Sequence, residues 1–546
     1  MSTESQERTT PARPEGRDPA PPRSPVGTGR PVEDQPSVAD SDVPVVRTWI
    51  GRIAGPVLAL LVYALLSLND DLGTAGRTTA AVGVLLAVWW MTEAIPLPAT
   101  ALLPIVLFPL LGVLPVDEAT APYADPNIFL FMGGFMLALA MQRWDLHKRI
   151  ALLVVRAVGT KPDRLVAGFM LATAFVSMWV SNTATTVMML PIGLSVLLLV
   201  LQRTGAVPDD AAGAATTMVK DRDTRNFAVA LMLGIAYAAS IGSLATLIGT
   251  PPNLILAGFV EQQYDIDLGF GQWMALGLPL ASVFLVLAWL VLTKLVFRSG
   301  LREIPGGKEL IDSEIKALGP MSRGEWTVLA VFVTTALLWV FRQPLAGWDA
   351  LTGVLPFVAE LNDSSIAIAA ALALFLIPVD ARRGVPTLDW RTAQQLPWGV
   401  LLLFGGGLSL AAAVQASELD VFIGSQVSGL GVLPVVLLIA GVAGVVLLLT
   451  EVTSNTATAA AFLPVLGGVA VGLEVAPLLL LVPAALAATC AFMLPVATPP
   501  NAIVFGSGHV TIGSMLRAGA VLNVVGIVLI TAAVYLLGGV ALGIEF

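Results

Sequence analysis

The sequence predicts an all-α, polytopic membrane protein of about eleven transmembrane helices plus two re-entrant hairpins, arranged as an inverted repeat. Three observations predict it. Of 546 residues, 56% are hydrophobic and 12% charged, where a soluble protein carries about 25% charged residues; the mean hydropathy is +0.84. Apolar runs near the roughly 20 residues needed to cross a bilayer recur along the chain. A set of polar motifs is also written twice inside those runs. The pattern S-N-T-A-T, four variable residues, L-P begins at Ser181 and again at Ser454, and T-P-P-N stands at 250–253 and at 498–501.

Taken in order, residues 1–46 are rich in Pro, Arg, Glu, Asp and Ser without apolar periodicity, which reads as a disordered tail. It lacks the apolar core of a signal peptide. Arg47 and Arg52 precede the first span and Asp70 and Asp71 follow it, so the positive-inside rule puts the tail in the cytoplasm. Spans are expected near 53–68, around 82–91 and at 97–114. The stretch 128–141, IFLFMGGFMLALAM, is short for a straight crossing and has Gly133-Gly134 in its middle, so it is expected to be a re-entrant hairpin. Residues 147–158 mix charges with apolar residues, as an interfacial helix does. The segment 165–201 carries the first S-N-T. A polar loop at 202–225 leads to a span at 227–248, which meets G-T-P-P-N. Further spans are expected at 273–297, 326–341 and 366–379. The run 400–414 reads as the second hairpin. Segments 433–449 and 457–472 flank the second S-N-T, 476–496 meets A-T-P-P-N, and 515–542 closes the chain.

The offset of 273 that carries Asn182 to Asn455 also carries Leu130 to Leu403, Phe131 to Phe404, Gly133 to Gly406, Gly134 to Gly407 and Gln142 to Gln415. For T-P-P-N the offset is 248, from Thr250 to Thr498, and the difference is close to the length of the 202–225 loop that the second half lacks. Four full spans separate the two interrupted helices. If the second hairpin re-enters, those helices run in opposite directions and the repeat is inverted, which places a binding site near the bilayer midplane.

Irregular backbone in a membrane occurs only where it is buried or lines a cavity. Ser, Asn and Thr are strong helix N-caps, so S-N-T within a run reads as a helix that stops and restarts. The carbonyl end of such a break suits a cation and the N–H end an anion; the Asn amide can serve both. In T-P-P-N the prolines interrupt one helix and open the next, and the carbonyls of Gly249 and Ala497 stay accessible. A plain kink or interhelical glue would explain one S-N-T; three elements duplicated in one order argue against it. Glu93 and Glu451 lie in or beside apolar runs. An intramembrane acid is a functional candidate by default, yet both read better as structural acids paired to backbone or to a base. Neither motif contains Lys or Arg, so an anionic substrate would need helix N-termini and co-bound cations, that is, cation-coupled transport. With one cysteine (Cys490) and two distant histidines (His147 and His509), a His/Cys metal site is not expected. An enzyme is disfavoured for want of an acid/base pair, and a channel because it needs no duplicated site for a polyatomic anion. No basic cluster interleaved with aromatics points to nucleic acid.

The paired S-N-T motifs, in their G-T-P-P-N and A-T-P-P-N contexts, resemble the divalent anion/sodium symporter family, the INDY-type transporters of dicarboxylates, citrate and sulfate. The likeness covers about residues 50–540. It implies a homodimer in the cell (inner) membrane, each protomer having a scaffold domain and a transport domain that moves as an elevator. Scaffold helices would be 47–124, 261–390 and the C-terminal helix 511–546; the transport domain would be 125–260 and 391–510. The resemblance implies one sodium site at Ser177, Ser181, Asn182 and Gly249, and a second at Thr450, Thr453, Asn455 and Ala497, several of them through backbone carbonyls. Asn182, Thr183, Asn455 and Thr456 would hold the substrate carboxylates, with Thr250, Thr498 and Pro499 nearby. Thr453 stands where the family has Ala and Thr250 where some relatives have Ser, which leaves substrate choice open. The expected function is sodium-coupled symport of C4-dicarboxylates such as succinate, fumarate or malate, with no organic cofactor. Sulfate or citrate symport and sodium-independent dicarboxylate exchange are the alternatives.

Overall fold

A computed structural model describes residues 45–68, 72–159, 161–203, 221–301, 306–427 and 433–545. The tail at 1–44, the Asp70–Asp71 pair and most of the 202–225 loop lie outside the described residues. The chain is an all-α polytopic membrane protein. Among the described residues nine helical segments are long and apolar enough to cross a bilayer, and four shorter apolar helices accompany them.

The chain opens with α1 (Val45–Leu66) and α2 (Thr74–Thr92), packed against each other. On α1, Ile53, Val57, Leu60 and Leu61 are all exposed. Their helical spacing makes one outward apolar stripe, a face that water does not stabilise and lipid does. The short helices α3 (Leu97–Thr100), α4 (Leu103–Leu110) and α5 (Val116–Thr120) lead to α6 (Pro126–Arg143). That helix starts cleanly: Pro126 fills a first-turn position and Asp125 accepts from the Asn127 N–H at 2.8 Å. After a turn comes α7 (Leu146–Val158). Its charged side chains are paired. Arg149 and Glu325 form a buried ion pair, and Arg149 also donates to the carbonyls of Gly319 and Leu318; Arg156 pairs with Asp312 at 3.0 Å.

Here the structure corrects the sequence reading. Gly133 and Gly134 do not turn the chain: α6 is continuous through them. A Cβ on Gly133 would stand 2.6 Å from the Ala367 backbone, so this glycine lets two helices cross closely. The corresponding run in the second half is the continuous α18 (Trp398–Ala416), where a Cβ on Gly406 would stand 2.5 Å from the Ala101 carbonyl. A double glycine offers no side chain to satisfy broken helix ends, and in an apolar run it serves packing.

The hairpins are at the S-N-T motifs. Helix α8 (Pro162–Ser177) ends before the first and α9 (Asn182–Arg203) starts within it. A straight continuation would separate Phe169 from Gly193 by roughly 36 Å; instead a Cβ on Gly193 would lie 3.9 Å from the Phe169 ring. The helix restarts, as expected, but it reverses. Next are α10 (Arg222–Ser243) and α11 (Pro251–Tyr264), interrupted at 244–250. Of the apolar window of α10, 94% is buried, against 17% for α1, so α10 is the centre and α1 the periphery.

Helices α12 (Phe270–Leu290), α13 (Gly307–Leu318), α14 (Arg323–Ala346), α15 (Asp349–Thr352) and α16 (Asp363–Leu376) connect the halves. A capping box of Ser322 and Glu325 opens α14. Asp363 ties three of these helices together: it accepts from the Phe270 N–H at 2.9 Å and pairs with Arg342 at 2.9 Å. A two-stranded hairpin, β1 (Pro378–Asp380) with β2 (Val385–Pro386), is the only sheet among the described residues. The second half repeats the first: α17 (Trp390–Ala393), α18, α19 (Leu419–Val427), then the hairpin α20 (Val435–Thr450) and α21 (Asn455–Gly472). Leu438 and Val442 of α20 pack on the cluster of Ala470, Leu473 and Leu480, and α20 contacts both α21 and α22, as a folded-back pair does. Then come the interrupted pair α22 (Leu478–Thr489) and α23 (Pro499–Gly506), and α24 (Ile512–Leu542).

The two interrupted helices lie antiparallel. Helix α10, before its break, packs on α23, after the other break; α11 packs on α22. The repeat is therefore inverted, although the hairpins that make it so are not the ones the glycines suggested.

Candidate functional site

Each hairpin tip meets one helix break. At the first, Ser177 closes α8 and is fully buried; its Oγ lies 2.9 Å from Asn182 Oδ1 and 2.7 Å from the Ala239 carbonyl. At the second, Thr450 closes α20 and is fully buried; its Oγ1 lies 2.9 Å from Asn455 Oδ1 and 2.8 Å from the Ala488 carbonyl. A hydroxyl carries one hydrogen and can serve one acceptor at a time. Each cluster thus gathers three hard oxygens around a single proton, a donor set that fits a cation such as sodium.

The amides differ on their nitrogen side. Asn182 Nδ2 donates to Ser243 Oγ at 3.2 Å, and Ser243 donates on to the Ser240 carbonyl. The position equivalent to Ser243 in the second half is Ala491, which has no hydroxyl, and Asn455 Nδ2 has no protein acceptor among the described residues. Ser181 is the residue before α9, and its Oγ accepts from the Ala184 N–H at 3.3 Å. Thr183 and Thr456 follow the two Asn residues in the first turns of α9 and α21 and are half-buried. Both hairpin tips therefore present a helix N-terminus with polar side chains, the geometry that attracts an anion. Thr453 points elsewhere: it donates to the Leu449 carbonyl and lies 2.6 Å from the Thr458 hydroxyl, inside its own hairpin.

The breaks are fixed by T-P-P-N. Thr250 and Thr498 are the N-cap residues of α11 and α23, with prolines in the first turns. Both threonines are buried, and Pro499 is exposed. Asn253 and Asn501, which the sequence reading treated only as polar groups near the break, prove to be staples. Asn253 Nδ2 donates to the carbonyls of Ser243 and Thr246 at 3.3 and 2.9 Å; Asn501 Nδ2 donates to those of Ala491 and Leu494 at 3.1 and 3.0 Å. The same offset of 248 relates every partner. Gly249 is pressed on the preceding strand of backbone: a Cβ there would stand 2.3 Å from the Ser243 carbonyl. Ala497, its counterpart, is buried and carries a Cβ, so the second break is slightly more open.

The two breaks touch. Thr250 and Thr489 hydroxyls lie 3.3 Å apart, and the Tyr237 hydroxyl donates to the Phe492 carbonyl at 2.7 Å. The structure thus brings Ser177 together with Asn182, Thr450 with Asn455, and the two breaks with each other through Thr250. Glu451 pairs to backbone, as expected of a structural acid: it accepts from three consecutive N–H groups and from Asn523. Arg47 of α1, which sequence spacing could not connect to the site, donates to the Val452 carbonyl at the second tip at 3.2 Å and also to that of Met91.

Comparison with known proteins places this architecture. Residues 47–542 match the family model described as the sodium:sulfate symporter transmembrane region. The sodium-dependent dicarboxylate transporter SdcS of Staphylococcus saprophyticus is 42% identical over 499 residues, covering 91% of this chain and 92% of that protein. The protein of the same name from Staphylococcus aureus strain USA300 is 42% identical over 498 residues, with the same coverage. Among solved structures, the YdaH transporter of Alcanivorax borkumensis superposes with a TM-score of 0.51 at 15% identity, covering 91% of this chain and 98% of that one. MtrF of Neisseria gonorrhoeae gives 0.53 at 13% identity, covering 90% and 96%. At those identities the likeness is one of fold.

Proposed function

This chain belongs to the sodium:sulfate symporter family, and from that premise we propose that it is a secondary transporter, not an enzyme, that carries C4-dicarboxylates such as succinate, fumarate or malate together with sodium. The observation that carries the reading is the duplicated cluster of three oxygens and one hydroxyl hydrogen beside a helix N-terminus. Sodium belongs at the oxygens of Ser177, Asn182 and the 239–249 backbone, and at those of Thr450, Asn455 and the 488–497 backbone. Ser181, Gly249, Thr453 and Ala497 contribute through their main chain. The substrate carboxylates belong at the tips, on Asn182, Thr183, Asn455 and Thr456, with Thr250, Thr498 and Pro499 lining the breaks. A dicarboxylate is favoured over sulfate or citrate because relatives at 42% identity carry that name.

Charge balance explains the coupling. Buried charges cost several kcal/mol each even after relaxation, and neither motif supplies a base. Sodium at the oxygen clusters offsets substrate charge, so each ligand raises the affinity of the other, and by linkage the two effects are equal. We further infer a homodimer in the cell membrane with a cytoplasmic N-terminus. In it residues 125–260 and 391–510 travel as one elevator body against 47–124, 261–390 and 511–546. Uptake of labelled succinate into proteoliposomes tests the reading. It should require sodium, respond to it with a Hill coefficient above one, and accept potassium poorly. Sodium-free counterflow of preloaded dicarboxylate would replace symport by exchange, and stronger competition by sulfate or citrate than by malate would reassign the substrate.

A further inference from the structure

Glu451 is a buried acid, 4% exposed, that the scheme above leaves without a task. It follows Thr450, whose hydroxyl belongs to the second oxygen cluster, and it precedes the hairpin tip. Its carboxylate accepts from the N–H groups of Phe492 at 2.8 Å, Met493 at 3.0 Å and Leu494 at 3.2 Å, and from Asn523 Nδ2 at 2.7 Å. No Lys, Arg or His is among these donors. The backbone it holds runs from the last turn of α22, whose Ala488 carbonyl belongs to the cluster, towards Ala497 and Thr498.

The first half solves the same problem with opposite polarity. The counterpart of Glu451 is Met178, and the counterpart of 492–494 is 244–246. There Leu244 and Ala245 N–H groups fold back onto the carbonyls of Ile241 and Gly242, at 3.2 and 3.1 Å. The Thr246 hydroxyl then reaches across to the Met178 carbonyl. The helix-end carbonyls are consumed by the chain's own donors. In the second half Glu451 draws three N–H groups away, so the matching carbonyls of Thr489 and Cys490 are spared them. A carbonyl spared an N–H partner is a hard oxygen available to a cation.

We propose that Glu451 is the positioning residue of the second sodium site. It orients the 490–497 backbone so that carbonyls face the ion, and its negative charge, held by four neutral donors, favours a cation beside it. The proposal rests on the sodium-symport reading. The test compares wild type with Glu451→Gln and Asn523→Ala, each purified as a monodisperse fraction and reconstituted, with succinate uptake measured against sodium. A carboxamide has one acceptor and turns an NH2 toward the three N–H donors. E451Q should therefore raise the half-saturating sodium concentration at least tenfold and bring the Hill coefficient toward one, while uptake at saturating sodium stays within about threefold. Asn523→Ala keeps the carboxylate and its three backbone donors, and should shift half-saturation two- to threefold in the same direction. A merely structural acid would lower the yield of folded protein and leave the sodium curve of the surviving fraction unchanged; that result overturns the proposal. Should E451Q not fold, unchanged sodium curves in both Glu451→Asp and Asn523→Ala overturn it equally. Wild-type uptake that is flat in sodium would overturn the symport reading and this proposal with it; a sodium-dependent wild type with superimposable variants overturns this proposal alone.

Discussion

Asn455→Asp offers a perturbation with opposite effects on the two ligands. The change is isosteric. Oδ1 keeps its place 2.9 Å from the Thr450 hydroxyl, while the amide nitrogen, which has no protein acceptor among the described residues, becomes a negatively charged oxygen. Toward a substrate carboxylate this removes one hydrogen bond to a charged group, about 1.5–3 kcal/mol. It also adds repulsion of about 4 kcal/mol for unit charges 4 Å apart at an effective dielectric of 20. Even the repulsion alone predicts about a thousandfold loss of succinate affinity, at 1.4 kcal/mol per decade. Toward sodium the same oxygen is attractive, so sodium affinity in the absence of substrate should rise, by about tenfold or more. Asn182→Asp should be milder in both respects, because the Ser243 hydroxyl, now donating to the Ser240 carbonyl, can turn to the new charge. Succinate binding by calorimetry and sodium-induced thermal stabilisation in detergent read the two effects separately. Parallel weakening of both ligands, or an unchanged succinate affinity, would refute the assignment of Asn455 to both.

Truncation of either amide should be worse for transport than for folding: Asn182→Ala and Asn455→Ala are each expected to cut succinate uptake at least a hundredfold while eluting at the wild-type volume in size-exclusion chromatography. Gly249→Ala drives a methyl group into the Ser243 carbonyl 2.3 Å away and should abolish uptake and lower the melting temperature, whereas Ala497→Gly should leave uptake within about threefold. Arg149→Met strands the buried Glu325 carboxylate and should cost about 3–5 kcal/mol; the double change Arg149→Met with Glu325→Leu should recover most of it, as read by melting of the detergent-solubilised protein.

How much of this could be read from the chain depended on where the signal was written. The duplication, the interrupted helices and the polar residues at their ends are side-chain patterns, and they were legible. The direction of the chain at S-N-T was not. A Ser or Asn cap opens a new helix equally well whether that helix continues the axis or reverses it, and only packing of α8 and α9 on α10 decides. The glycine pairs misled for a related reason: Gly permits a turn and permits a close helix crossing, and Ala367 lying against Gly133 selects the second. Asn253 and Asn501 were visible as residues but not as staples, because their partners are carbonyls. Glu451 was recognisable as a structural acid, yet its three partners are backbone N–H groups, which every sequence has everywhere. Arg47 meets Val452 across 405 positions, a distance over which no local pattern extends.

The antiparallel pairing of α10–α11 with α22–α23 also has a thermodynamic meaning. A body made of two halves related by a pseudo-two-fold axis in the membrane plane can reach two end states by exchanging the roles of those halves, one open to each side of the bilayer. To the extent that the halves match, the two end states are equal in energy; in either case the carrier has no built-in direction, and net flow follows the ion and substrate gradients imposed on it. A resting preference for one side enters only where the halves fail to match. Among the mismatches at the site are an acid at 451 against a methionine at 178, a serine at 243 against an alanine at 491, and a glycine at 249 against an alanine at 497. Swapping these pairs between the halves should reset which side the empty carrier rests facing.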